Sequence, residues 1–134
     1  MNTRDISMSD PEPERITERK ALVVGINAYT KMLLSNCLND ASAVHEALKR
    51  MGFTSTLILN CDIGKLLKGT RSFVRSVNSD DIAFFYFAGH GVEAAIMQAG
   101  KPMSSNWLLA REVPKSNEDL PRYALDAQHL LAEL

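Results

Sequence analysis

The stretch Ile82-Ala83-Phe84-Phe85-Tyr86-Phe87-Ala88, halting at Gly89-His90-Gly91, decides the fold of this chain. Asp80-Asp81 introduces it, and so unbroken an apolar run suits a strand with neighbours on both sides rather than one at a sheet edge. Working outward, Ala21-Leu22-Val23-Val24-Gly25-Ile26 is a second continuous run, rich in β-branched residues and ended by Asn27, which reads as a strand buried on both faces. Between the two, Leu38, Ala41, Val44, Leu48 and Met51 recur at spacings of three and four and Gly52 closes the pattern, predicting an amphipathic helix. Phe53 to Asn60 carries Thr56-Leu57-Ile58-Leu59, a further strand. Leu66, Leu67, Thr70, Phe73, Val74 and Val77 return to helical spacing, in a helix that Gly69 weakens by about 1 kcal/mol relative to alanine.

Strand, helix, strand, helix, strand with short connections predicts an α/β fold: a mostly parallel sheet with right-handed crossovers and helices on both faces. After Gly91 the pattern is less regular. Val92 to Met97 and Ser104 to Ala110 suit a hairpin, and Leu125 to Leu134 a helix. At 134 residues, one domain is expected, spanning residues 20–134. Residues 1–19 mix charges of both signs with Pro11 and Pro13, lack the apolar core of a signal peptide, and read as a flexible tail.

A formal net charge of −1 supplies no basic excess for nucleic acid or for an anionic membrane surface. The two cysteines are too few for a disulfide framework, and no apolar run reaches the roughly 18 residues of a membrane span. A reduced, cytoplasmic location is the expectation.

In a parallel sheet the loops at the carboxyl ends of the strands gather along one rim, where ligands bind. Residues 27–40, 60–64 and 89–93 are therefore expected as neighbours, which brings His90, Asp40, Cys37 and Cys61 to one edge. His90, between two glycines where a buried strand emerges, suits a general base near neutral pH; it equally suits a histidine that ends a strand with its tip in water. Asp40 lies in the first turn of a helix, where the macrodipole alone accounts for a carboxylate, and it could also receive a cationic substrate side chain. Cys37 precedes the same helix, whose N-terminus can lower a thiol pKa; a Cys37/His90 dyad stands beside the reading of Cys37 as a small hydrophobe. Cys61 lacks even that helix. His45 and His129 have no metal-ligand spacing to another His or Cys, and neither a G-x-G-x-x-G fingerprint nor a P-loop is present. No metal and no cofactor are expected.

Taken together, ALVVGINAY (21–29), CLNDA (37–41), Gly52-Phe53, FFYFAGHG (84–91) and NWLLA (106–110) resemble, in order, the caspase-like cysteine peptidases, and within them the metacaspases and paracaspases. The resemblance implies a three-layer fold and a cysteine endopeptidase. His90 would be its catalytic histidine, Gly91 N–H an oxyanion-hole donor, and Asp40 the acidic residue that helps hold Arg or Lys at P1. Substrates would be peptides or proteins with a basic P1 residue.

Caspase-type enzymes carry the nucleophile about 50 residues beyond the histidine, whereas no residue after His90 is cysteine. The expectation is a large-subunit portion whose C-terminal strands, including one ending in Asp-x-Cys, are missing. Such a portion would be inactive alone, and would be completed by that fragment or self-associate through an exposed sheet edge. A non-catalytic pseudoprotease that binds peptides or partners is the alternative, and a self-sufficient Cys37/His90 hydrolase the third reading.

Overall fold

A computed structural model describes residues 17–134. In it, β1 (Arg19–Gly25) is followed by α1 (Cys37–Arg50), β2 (Thr54–Leu59), α2 (Ile63–Ser76) and β3 (Ile82–Ala88). Then come β4 (Gly91–Gln98), β5 (Lys101–Leu109), a 3-10 turn at Asn117–Asp119, α3 (Leu120–Tyr123), β6 (Ala124–Asp126) and α4 (Ala127–Glu133).

Strand β1 is central because its side chains are apolar on both faces. Alternating residues serve different layers. Ala21 and Val23 pack with Ala41 and Leu48 of α1, whereas Leu22 and Val24 join Ile58 of β2 and Leu66 and Phe73 of α2 in the larger cluster. Parallel strands β2 and β3 flank it in the order β2-β1-β3, in register from Lys20↔Thr54 and from Arg19↔Ile82. Asp62 starts α2 by accepting the Lys65 N–H at 2.8 Å, which satisfies one of the donors a helix N-terminus leaves open.

The expected strands and helices of the first half form within a few residues of their predicted limits. The expectation of a mostly parallel sheet needs correction. After His90 the chain builds a second sheet, β4-β5-β6, whose pairs are all antiparallel. The reason is local: β4 and β5 are joined by the two-residue turn Ala99-Gly100, with φ of 50° and 78°. A turn that short can only reverse the chain, since a parallel partner needs a crossover of a dozen residues or more. The first part of the expected final helix is likewise strand, Ala124–Asp126 pairing with β5. Asp126 then caps α4 through the Gln128 and His129 N–H groups.

Strand β3, read as an interior strand, lies at an edge of the parallel sheet among the described residues. Ile82 is 49% and Phe84 41% exposed, against 0–1% for Ala21 to Val24. Of the expected flexible tail, residues 1–16 lie outside the described residues, and β1 already begins at Arg19. No helix among the described residues is long and apolar enough to cross a membrane.

Candidate functional site

Backbone groups at the carboxyl ends of all three parallel strands are tied together. The Ile26 N–H donates to Ala88 O at 2.9 Å and the Asn60 N–H to Gly25 O at 2.8 Å. Asn60 has φ +50°, a left-handed conformation that asparagine tolerates better than most residues. Its side-chain oxygen accepts from the Asn27 and Ala28 N–H groups at 2.9 and 3.1 Å. Asn27 in turn accepts the Cys37 N–H at 2.8 Å, so an asparagine from the β1 loop caps α1, where the N-cap residue Asn36 supplies no side-chain bond.

Five residues beyond Asn27, the loop reaches the end of β3. The imidazole Nε2 of His90 lies 2.6 Å from the Met32 carbonyl oxygen. A carbonyl can only accept, so Nε2 carries the proton and Nδ1 is the acceptor nitrogen of the neutral ring. Below the imidazole lies Tyr29, with ring centroids 4.5 Å apart and planes tilted by 56°. Tyr29 is 2% exposed; burial pushes its phenol up to about 12, so it remains a protonated donor at neutral pH.

The Leu109 N–H donates to His90 O at 2.9 Å, which makes His90 and Leu109 a hydrogen-bonded antiparallel pair. Antiparallel ladders alternate. The next pair, Gly91↔Leu108, is then of the non-bonded kind, which directs the Gly91 N–H away from β5 toward the outer edge of β4. Gly91 itself is exposed. An imidazole and an outward backbone donor thus stand side by side where β3 turns into β4.

Asp40 is exposed in the first turn of α1. It lies close enough to Cys37 for its negative charge to act on the thiol. Cys37 is half-buried, and its thiol is pushed up, first by burial and then by Asp40. The helix N-terminus therefore does not deliver the lowered thiol pKa on which a Cys37/His90 dyad depends. Cys61 is buried, and burial drives its thiol up to about 11. Among the described residues no hydrogen bond joins the His90 imidazole to either sulfur, and no group of three or more His, Cys, Asp or Glu side chains could hold a metal ion. His45 bonds Ser55 Oγ at 2.7 Å on the α1 side of the sheet, and His129 faces Glu133 at 3.4 Å within α4.

Sequence reasoning placed His90, Asp40 and Cys37 on this rim but missed what holds the histidine. Tyr29 was visible as part of a motif, without a role. The Met32 carbonyl and the Leu109 N–H had no signal at all, because nearly every residue carries such groups.

The family model of the caspase domain matches residues 18–110. Among curated proteins, none matches. Thirty chains of known structure match, one of them protein GSU0716 from Geobacter sulfurreducens. The likeness to it has a TM-score of 0.64 at 18% identity and covers 87% of this chain and 44% of that one. At that identity it is a likeness of fold, and this chain spans less than half of that structure's length.

Proposed function

The chain belongs to the caspase domain family, and from that premise we propose that it is the histidine-bearing, large-subunit part of a metacaspase- or paracaspase-type cysteine endopeptidase acting in the cytoplasm. It cleaves after Arg or Lys once a thiol-bearing strand docks beside β3. The observation that carries this reading is β3 itself. It has the composition of an interior strand, leads through Gly89 to His90, and among the described residues offers an open edge with Ile82 and Phe84 half-exposed. A strand added to that edge would end next to the imidazole, because parallel strands finish on the same rim.

The geometry supports the following chemistry. A thiol on the docked strand gives its proton to Nδ1, the nitrogen left as acceptor by the Nε2–Met32 bond. The thiolate attacks the scissile carbonyl, and the outward Gly91 N–H stabilises the oxyanion. Collapse of the tetrahedral species breaks the C–N bond as the imidazolium protonates the leaving amine. Water, deprotonated by the imidazole, then hydrolyses the thioester and regenerates the thiol. Asp40, exposed above the start of α1, receives the cationic P1 side chain. The chain's own two thiols are both held in the protonated form, which accords with a nucleophile supplied from elsewhere.

The same observation favours a second reading, a non-catalytic caspase-fold module in which Asp40 binds basic peptides without hydrolysis. One experiment separates the two. The chain is mixed with a caspase-family segment carrying the strand that ends in Asp-x-Cys, and hydrolysis of Arg- and Lys-terminated reporter peptides is followed. Cleavage that neither component gives alone is expected. A stable complex that binds the peptides yet leaves them intact would establish the non-catalytic module instead.

A further inference from the structure

A regular antiparallel pair exchanges two hydrogen bonds, one in each direction. At His90 and Leu109 only one is made directly, from Leu109 N–H to His90 O. In place of the other stands the hydroxyl of Tyr29. The His90 N–H donates to Tyr29 Oη at 2.7 Å, and Tyr29 Oη donates to Leu109 O at 2.9 Å. A side chain from the β1 loop is thus spliced into the ladder at the one position that carries the imidazole. The neighbouring residue fits this insertion: a Cβ on Gly89 would collide with Tyr29 Oη and with the Phe87 ring.

We propose that Tyr29 is a positioning residue for His90: its hydroxyl spaces the His90 backbone away from β5 and its ring supports the imidazole, so that Nε2 meets the Met32 carbonyl and Nδ1 is presented for proton transfer. The inference rests on the reading of His90 as the catalytic histidine. The physical reason is one of distance. Without the hydroxyl, the His90 N–H and the Leu109 carbonyl are left facing each other across a gap, and buried backbone groups do not stay unpaired. They either close directly, drawing His90 toward β5 and its imidazole away from Met32, or admit water at a site where Tyr29 is 2% exposed. Both change the surroundings of the imidazole without removing any group that would touch substrate.

The test uses Tyr29→Phe in the whole chain, with retained fold checked by circular dichroism and amide dispersion. Long-range proton–nitrogen spectra of the imidazole should show the Nε2–H tautomer in the parent and loss of that single-tautomer signature in the variant. The His90 amide should exchange faster by on the order of tenfold. In the complemented peptidase, kcat should fall with KM retained. Should Tyr29→Phe fail to fold, biosynthetic 3-fluorotyrosine keeps ring and hydroxyl while altering the hydroxyl's hydrogen bonding, and should shift the His90 imidazole and amide resonances. A folded Tyr29→Phe with unchanged tautomer and amide exchange overturns the proposal, as does a fluorotyrosine chain with unmoved His90 signals. The spectra need no peptidase activity, so a failure of the proteolytic reading and a failure of this one are told apart.

Discussion

Strands β1 and β3 lie side by side, pair by pair from Arg19↔Ile82 to Gly25↔Ala88, yet the protein treats them differently. Ala21 to Val24 are 0–1% exposed, whereas β3, with three phenylalanines and a tyrosine in seven residues, has no fully buried position. Composition alone would give β3 the more interior place. What differs is the number of neighbours: β1 is paired on both sides and β3, among the described residues, on one. Apolar content records the surroundings a strand is suited to, and the gap between suitability and surroundings is what the proposal of a docking strand rests on.

The sharpest way to break this comparison is to shorten one side chain on each strand. Leu22, 1% exposed in β1, packs in the larger core cluster. Leu22→Ala should cost about 2–5 kcal/mol, read as a lower urea midpoint at unchanged slope. On β3, Phe84 keeps an edge-to-face contact with Phe53, centroids 6.2 Å apart, but is 41% exposed. Phe84→Ala should therefore cost only about 1 kcal/mol in the chain alone. If β3 receives a further strand, the same substitution should weaken that association much more than it weakens the isolated fold. Equal costs at Leu22 and Phe84 in the isolated chain would mean that β3 is as enclosed as β1, and the case for a docking edge would go with it.

How much of this was legible in the sequence depends on which chemical groups do the work. Periodicity marked β1, α1, β2, α2 and β3 because side chains alone decide which face is buried. His90 stood out because an imidazole between two glycines at the mouth of a buried strand invites proton chemistry, whereas Asp40, which the macrodipole alone accounts for, drew its role only from the family resemblance. Gly69, legible only as a weak point, sits where α2 meets β2: a Cβ there would lie 2.5 Å from Ile58 Cδ1, so any other residue would require the tip of Ile58 to shift. The hairpin of β4 and β5 was legible, but not the separate antiparallel sheet it makes with β6, because the three residues Ala124–Asp126 carry too short a pattern to be told from the helix that follows. The support of His90 was illegible for a deeper reason. Two of its three partners are backbone groups, the Met32 carbonyl and the Leu109 N–H, and the third, Tyr29, is remote in sequence.

A smaller effect is expected at the fastener between the two strands. Lys20 of β1 reaches Asp81, just before β3, at 3.0 Å and also bonds the Ser76 carbonyl. Asp81 accepts from the Asn78 N–H at 2.8 Å and the Glu18 N–H at 3.2 Å. The Asn78 N–H, then Lys20, hold its carboxyl below the usual range. A group whose folded pKa is lowered stabilises above its unfolded pKa and loses that contribution as pH falls through the folded value. Asp81→Asn should therefore lower the melting temperature at neutral pH by less than Leu22→Ala does. The difference from the parent should shrink on acidification through the ordinary aspartate range. A gap that persists undiminished at low pH would show that packing, not charge, ties β1 to β3 there.

The smallest effect concerns the thiol nearest the rim. Cys37 begins α1 and has the position of an activated nucleophile, but burial and the Asp40 carboxylate both work against the thiolate. The helix dipole is worth a few tenths to about 1 kcal/mol, and only within its first turn. The net direction for Cys37 is nonetheless upward. Cys37→Ser, which keeps the size and polarity of the site, should leave the rate of the complemented peptidase within about twofold and the stability within about 0.5 kcal/mol. Iodoacetamide at pH 7 should label Cys37 no faster than a free cysteine thiol. Rapid, selective alkylation together with loss of activity in Cys37→Ser would return the nucleophile to this chain, and β3 would then have no need of a thiol-bearing neighbour to make the site work.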